Sequence, residues 1–302
     1  MVTLPKGVTL NNLIEDLRIY SWESADILLN YSEKIKNLRF KHEFLKSLDQ
    51  NNPVTEADLK VNEIIIKNIR EKYSDIDWDI LSEENIKIDS SFSDFNSDWL
   101  WILDPLDGTK DFIQGTGNFA MHLALNYKER AYIGVVLIPE KEELWISDGE
   151  KTWCEKRDRS VEKKLVSSNK SLKEMVIVTS KNHRNETLER LIGKIRFKKV
   201  IVMGSIGCKI ASILRGESDI YISLSLPGKS SPKDWDFAAP EAILKAAGGA
   251  ITNLDNQALS YGASTYEKGG IIVASNCIQT HKRTCNQLRE IINKYDIYPF
   301  ED

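Results

Sequence analysis

The sequence predicts a layered α/β protein in two parts, an N-terminal α+β part built on an antiparallel sheet and a C-terminal part in which strands and helices alternate. Two observations predict it. "FAMHLALNY", "RAYIGVVLIP", "KEELWISDG" and "KTWCEK" follow one another as short strands joined by tight turns, a meander. Further on, "MVIVTS", "NETLERLIGKI", "KKVIVMGS", "GCKIASILRGE", "SDIYISLS" and "WDFAAPEAILKAAGG" read alternately as strand and helix. A chain of 302 residues exceeds the usual size of one domain. The polar stretch "DRSVEKKLVSSNKSLKE" at 158–174 separates the parts, so the expected domains are 1–165 and 166–302.

The remaining elements follow from periodicity and breakers. From Leu10 to about Asp49 the pattern is helical, with Leu13, Leu17, Tyr20, Ala25, Leu28 and Leu29 at three- and four-residue intervals. "QNNP" breaks it, and "VTEADLKVNEIIIKNIREKY" starts a second helix with Thr55 as N-cap and Asp58 three residues on. "WDILSEEN" reads as a short strand ending in acids, "KIDSSFSDFNS" as a polar loop, and "DWLWILDP" as a strand apolar on both faces. After short strands, "TCNQLREIINKY" forms a last helix.

Composition excludes several classes. Apolar residues make up 41% and charged residues 28%, ordinary for a globular protein, and no apolar run approaches the roughly 18 residues of a membrane span. The first residues lack a basic region, an apolar segment and a small-residue cleavage site, so export is not expected and the cytoplasm is the expected location. The four cysteines show no C-x-x-C pair, and with four histidines neither a zinc site nor a disulfide framework is expected. A net charge of −4 with both signs interspersed leaves no basic footprint for nucleic acid.

The chemistry is carried by acids at the ends of apolar elements: Asp58 in "PVTEAD", Glu83 and Glu84 in "LSEE", Asp104 and Asp107 in "DPLDGT", Asp234 and Asp236 in "KDWD". An isolated acid there is ordinarily solvated. "DPLDGT" differs, because Pro105 fixes φ and removes a donor, so the two aspartates are expected on a rigid turn. Gly108 lets the backbone approach a ligand, and "TKDFI" can open a helix whose first N–H groups attract an anion. Two carboxylates about 4 Å apart repel by roughly 4 kcal/mol at an effective dielectric near 20, so protons or cations must neutralise them. Oxygen donors without histidine or thiolate favour Mg²⁺, with Mn²⁺ as a substitute. Carboxylates beside a helix start and a threonine hydroxyl suggest phosphate chemistry at a two-metal site. "PGKSSP" at 227–232 is not a P-loop, since Ser223 stands where the first glycine belongs.

"WILDPLDGTKDF", "LSEE" upstream and "WDFAAPEAILKAAGG" downstream together resemble the lithium-sensitive, Mg²⁺-dependent phosphatase superfamily that includes inositol monophosphatases, over about residues 12–275. "NNPVTEAD", "LSEE", "DGTKDFI" and "SPKDWDFAAPEAIL" are most similar to its 3′(2′),5′-bisphosphate nucleotidases. The resemblance implies an α-β-α-β-α sandwich, the sugar-phosphatase fold, and release of the 3′-phosphate of 3′-phosphoadenosine 5′-phosphate to leave AMP. Inositol monophosphate or a sugar phosphate is the alternative substrate, and a non-catalytic binding homologue the third reading. It also implies roles. Glu83, Asp104, Asp107 and the Leu106 carbonyl would hold one metal, Asp104, Asp107 and Asp236 a second, and Glu83 with waters a third. Glu83 is preferred to Glu84 because the first acid of the pair is the family's ligand. Thr109 would hold the attacking water and Asp58 accept from the Thr109 hydroxyl. The N–H groups of Gly108 and Thr109 would bind phosphate, and Asp236 would lie on the side of the departing ribose oxygen. Lys110, with Asp111 beside it, would shape the pocket mouth, while His183 in "SKNH" and Gly204, Ser205 and Lys209 in "GSIGCK" would read the nucleotide. Inhibition by Li⁺, a small phosphorylated nucleotide as the only partner, no membrane or nucleic acid, and a monomer in preference to a homodimer complete the expectation.

Overall fold

The computed structural model describes residues 2–38, 56–88, 95–162, 169–181, 184–263 and 265–300. Two helices open the chain, α1 (Leu10–Leu38) and α2 (Glu56–Lys72). The continuation of the first helix to Asp49, the Thr55 cap and the middle of the 87–97 loop lie outside the described residues. A seven-stranded sheet follows, β1 (Asp79–Ser82), β2 (Trp99–Asp107), β3 (Ala120–Tyr127), β4 (Arg130–Ile138), β5 (Glu143–Ser147), β6 (Thr152–Glu155) and β7 (Val161–Glu162), in sequential order. Two short helices interrupt it, α3 (Glu83–Ile88) and α4 (Thr109–Gln114). From β2 onward the pairs are antiparallel, the expected meander, but β1 runs parallel to β2. The strand expected to end in acids stops at Ser82, and Glu83 and Glu84 instead form the first turn of α3.

The second part carries β8 (Val176–Ser180), α5 (Glu186–Ile195), β9 (Lys199–Met203), α6 (Ile206–Leu214), β10 (Ile220–Ser225), α7 (Asp234–Ala246), β11 (Ala250–Asn253), β12 (Gly270–Ser275) and α8 (Ile278–Lys294). Its five strands lie in the order β11-β12-β10-β8-β9, with β8 parallel to both β9 and β10 and β12 antiparallel to its neighbours β10 and β11.

Three apolar cores stack these elements into five layers. Leu13, Leu17 and Leu28 of α1 and Ile65 and Ile69 of α2 pack on the outer face of the first sheet, against Trp101, Leu103 and Leu123. The inner face of that sheet meets α6 and α7, which also cover the second sheet through Val178, Tyr221 and Ile272. On the far side of the second sheet, α5 and α8 close the sandwich through Leu188, Leu191, Cys285 and Leu288. This is the α-β-α-β-α arrangement.

The helix that bears Asp236 is seated on the first sheet by a close approach at Gly134 of β4. A Cβ there would stand 2.8 Å from Ala242 Cβ and 3.2 Å from the Ala239 backbone, both on α7. Gly134→Val is therefore expected to cost about 1–3 kcal/mol by forcing the helix off the sheet. A lowered thermal midpoint, partly restored by a second change Ala242→Gly, checks this; an unaltered midpoint would refute the contact.

Candidate metal centre

Side chains alternate across a strand, so one parity of β2 faces each core. Trp99, Trp101 and Leu103 point to the outer core, and Leu100 and Ile102 to the inner one. Asp104 shares the inner parity, but Asp107, three residues on, would face outward in a regular strand. A β-bulge changes this. Asp104 pairs with His122 of β3 and Asp107 with Ala120, so three steps on β2 oppose two on β3. Leu106 takes the outer-core position, and both aspartates present inward. The expected rigid turn is thus a bulge inside a continuous strand. The Asp104 carboxylate accepts the Leu106 N–H at 3.0 Å, a local turn that needs no amide from Pro105.

The partners arrive from other layers. Asp236 stands at the third position of α7, where one carboxylate oxygen accepts the Lys233 N–H at 2.6 Å. Ligand oxygens of Asp104, Asp107 and Asp236 all lie within 4.8 Å of one another. Asp58, 2% exposed on the first turn of α2, adds its charge to Asp104. One turn further along the same face, Asn62 accepts from Ser82 at 2.5 Å and donates to Asn85 at 3.0 Å, which fixes the segment bearing Glu83. Glu83 lies near enough to Asp104 to add its charge to it, whereas Glu84, 1% exposed, is turned into the protein. Lys87 spans both glutamates, at 2.8 Å and 2.7 Å. Of the pair, Glu83 is therefore the one beside Asp104, while the acids whose oxygens converge among the described residues are Asp104, Asp107 and Asp236.

Electrostatics identify what would neutralise the cluster. Burial, then repulsion by Glu83, Asp107, Asp236 and Asp58, raises the Asp104 carboxyl well above the usual carboxylate range. Burial, with Asp107 next, pushes Asp236 up to about 8. Removal from water also raises Glu83, with Lys87 opposing. Such groups are neutralised by protons or by a multivalent cation. Carboxylate oxygens with a backbone carbonyl at hand, and no thiolate, fit a hard divalent ion such as Mg²⁺. Gly108 adopts φ +89°, where its missing Cβ avoids Asn118 O at 2.9 Å and the Ser205 backbone, and it caps α4 without a side-chain acceptor. The Thr109 hydroxyl donates to the Leu106 carbonyl at 3.1 Å, a different acceptor from the Asp58 carboxylate that the resemblance implies.

The other expected residues are placed as follows. Lys110 is exposed beside this turn. Asp111 is buried, accepts from Thr116 at 2.6 Å, lies 3.6 Å from Lys181, and packs so closely on Gly204 that a Cβ there would meet Asp111 Oδ2 at 2.0 Å. Ser205 is fully buried; as N-cap of α6 it accepts from Cys208 N–H at 3.0 Å and donates to Asp107 at 2.6 Å. Lys209 is 1% exposed, donates to the Gly204 carbonyl at 2.5 Å and lies 5.1 Å over the Tyr221 ring. Asp234 belongs elsewhere, paired with Lys268 and the Gly262 N–H. His183 lies outside the described residues. Sequence reasoning passed over His122, whose imidazole lies 3.3 Å from Asp107; its signal is a histidine within the apolar strand "AMHLAL".

Raised carboxyls bind protons more tightly folded than unfolded. Their contribution to stability is full below the ordinary carboxylate range and is lost as pH rises through the folded values, about 8 for Asp236. In EDTA the melting temperature should therefore fall from pH 6 to pH 9, and saturating Mg²⁺ should raise it most at the alkaline end. Thermal shift assays across that range check this, and a flat profile with no Mg²⁺ effect would contradict it.

Comparison with known proteins fits this geometry. The inositol monophosphatase family model matches residues 21–293. The chain is 31% identical over 237 residues to the 3′(2′),5′-bisphosphate nucleotidase CysQ of Buchnera aphidicola subsp. Acyrthosiphon pisum, covering 78% of this chain and 81% of that one. It is 28% identical over 237 residues to the Nus factor SuhB of Pseudomonas aeruginosa, covering 76% and 80%. In fold it matches the structure of an inositol monophosphatase from Zymomonas mobilis with a TM-score of 0.70 at 18% identity, over 93% of this chain and 99% of that one. Among the described residues no helix is long and apolar enough to cross a membrane. With its acids gathered on the inner face of the first sheet and the family pattern running through nearly its whole length, the chain belongs to the inositol monophosphatase family.

Proposed function

We propose that this protein is a Mg²⁺-dependent phosphomonoesterase that removes the 3′-phosphate of 3′-phosphoadenosine 5′-phosphate, giving AMP and inorganic phosphate. The observation that carries the reading is the set of Asp104, Asp107 and Asp236 oxygens within 4.8 Å of one another, beside the Gly108–Thr109 turn. The CysQ relative at 31% identity supports the bisphosphate substrate over the sugar phosphates.

Glu83, Asp104, the Leu106 carbonyl, Asp107 and Asp236 are the residues that would hold the cations. Bound there, divalent ions supply positive charge for a phosphate in an acidic cleft and acidify a water molecule. The chain itself contributes position and proton handling. The Gly108 and Thr109 N–H groups stand at the start of α4, where they would donate to phosphate oxygens. Thr109 has one hydroxyl proton, given in the structure to the Leu106 carbonyl. In the reaction that proton would pass to Asp58, leaving the Thr109 oxygen to accept from the attacking water. The water oxygen would bond to phosphorus as the bond to the ribose 3′-oxygen breaks; that oxygen, on the Asp236 side, would take its proton from a solvent water, and Asp58 would return to solvent the proton it received. Ser205 and Gly204 would act through Asp107 and Asp111, with Lys209 buried behind them, and exposed Lys110 would meet the substrate at the mouth.

Initial-rate kinetics with Mg²⁺ test the substrate. kcat/KM for 3′-phosphoadenosine 5′-phosphate should exceed that for inositol 1-phosphate; the reverse order would move the assignment to an inositol phosphatase, and no turnover of either would favour a binding protein. Thr109→Ala should lower kcat by about two to four orders of magnitude, the size of a lost general-base contact, with the melting temperature preserved. Near wild-type kcat would remove Thr109 from the proton path.

A further inference from the structure

His122 lies on β3 directly opposite Asp104, fully buried, with its side chain on the inner face between the two acid-bearing segments. One ring nitrogen, Nδ1, is 3.2 Å from the Trp235 carbonyl, the residue before Asp236. A carbonyl only accepts, so Nδ1 carries the proton in that bond. The other nitrogen, Nε2, lies 3.3 Å from Asp107 Oδ2 and makes no hydrogen bond in the structure. The same Asp107 oxygen receives the Ser205 hydroxyl at 2.6 Å and the Gly207 N–H at 3.1 Å. Gly207 is shaped to this arrangement, because a Cβ there would come within 2.2 Å of His122 Nε2 and 2.8 Å of Val136 Cγ1.

Packing does not account for the imidazole. Its flanking inner-face neighbours on β3 are Ala120 and Ala124, in an apolar core where an aliphatic side chain would fill the space. A buried ring nitrogen without a partner costs about 1–3 kcal/mol, which such a residue would avoid. What the imidazole alone supplies is simultaneous contact with the backbone beside Asp236 and with the carboxylate of Asp107. We infer that His122 is a positioning residue of the acid cluster: its Nδ1–H holds the Trp235 carbonyl beside Asp236, and its ring, packed against Gly207 and 3.3 Å from Asp107 Oδ2, wedges the end of β2 against the start of α7, so that the two present their carboxylates to one cation as a single unit.

The inference rests on the cluster's being a divalent-cation site. The test is Mn²⁺ binding, followed by electron paramagnetic resonance and calorimetry, on the wild type, His122→Leu and His122→Asn. Loss of an outer-shell partner lowers metal affinity about 10- to 100-fold. His122→Leu should do so while its circular dichroism and melting temperature stay close to wild type. His122→Asn, which keeps an amide for one of the two partners, should recover part of the loss. As a measurement that needs no variant, the His122 ring ¹⁵N resonances of the wild type should move during a Mg²⁺ titration with the midpoint of metal binding. Wild-type Mn²⁺ affinity in His122→Leu, or ring resonances unmoved by Mg²⁺, would overturn the positioning role while leaving the cation site standing. A wild type that binds no Mn²⁺ would overturn the cation site and this role together.

Discussion

Mutual repulsion among carboxylates that are buried or half-buried together is the constraint on which the rest of this structure depends. Asp104, Asp107 and Asp236 bring oxygens within 4.8 Å of one another, with Glu83 and Asp58 adding charge. At an effective dielectric near 20, each close pair costs roughly 4 kcal/mol. Left to themselves the side chains would separate or take up protons. The fold opposes separation with stiffness: a fully buried nine-residue strand, a helix seated on a glycine, and apolar cores on both faces of the sheet. The rigidity makes a multivalent cation the favourable way to relieve the charge.

The β-bulge at Pro105–Leu106 is the device that aims the acids. Side chains alternate along a strand, so a spacing of three would send Asp104 and Asp107 to opposite faces. One extra residue on β2 restores a common face, and Leu106 anchors the displaced segment in the outer core. The next residues then have to leave the sheet. Gly108, with φ at +89°, makes that departure beside Ser205 and opens α4 next to the acids. Position, charge and the backbone donors of a helix start thus arise from one short irregularity in an otherwise regular strand.

The start of α6 supports this from the other part of the chain. Ser205 caps the helix and bonds Asp107 with the same hydroxyl, and Gly207 brings its own N–H to that carboxylate. Lys209, one turn along, brings a buried positive charge near Asp107 and Asp236; burial lowers its ammonium and those acids raise it. The two parts also meet through Arg215, at the end of α6, and Glu143 of β5, 2.7 Å apart. An acid cluster assembled from the end of β2 and the start of α7 needs such ties, because a small shift of either would separate the oxygens of Asp104, Asp107 and Asp236.

The residues themselves determined much. Apolar alternation marked the meander, three- and four-residue periodicity marked α1 and α2, and strand–helix alternation marked the second part. Local signals of this kind need no partner to be read. The acids at element ends, with Pro105 and Gly108 between and after two of them, marked the chemistry as oxygen-donor and phosphate-directed. Only the tertiary structure decided the rest. It replaced an expected turn by a bulge, began α3 at Glu83 where a strand was expected to run on, paired β1 parallel to β2, and turned the Thr109 hydroxyl to Leu106. It also placed Ser205 and Lys209 in the interior behind Asp107 and set His122 between Asp107 and Trp235. The physical reason is the range of the interactions. Propensity and periodicity act over a few residues, whereas bulge register, burial and a shared carboxylate are settled by contacts about 100 residues apart in the chain, between Asp107 and Ser205 or His122 and Trp235.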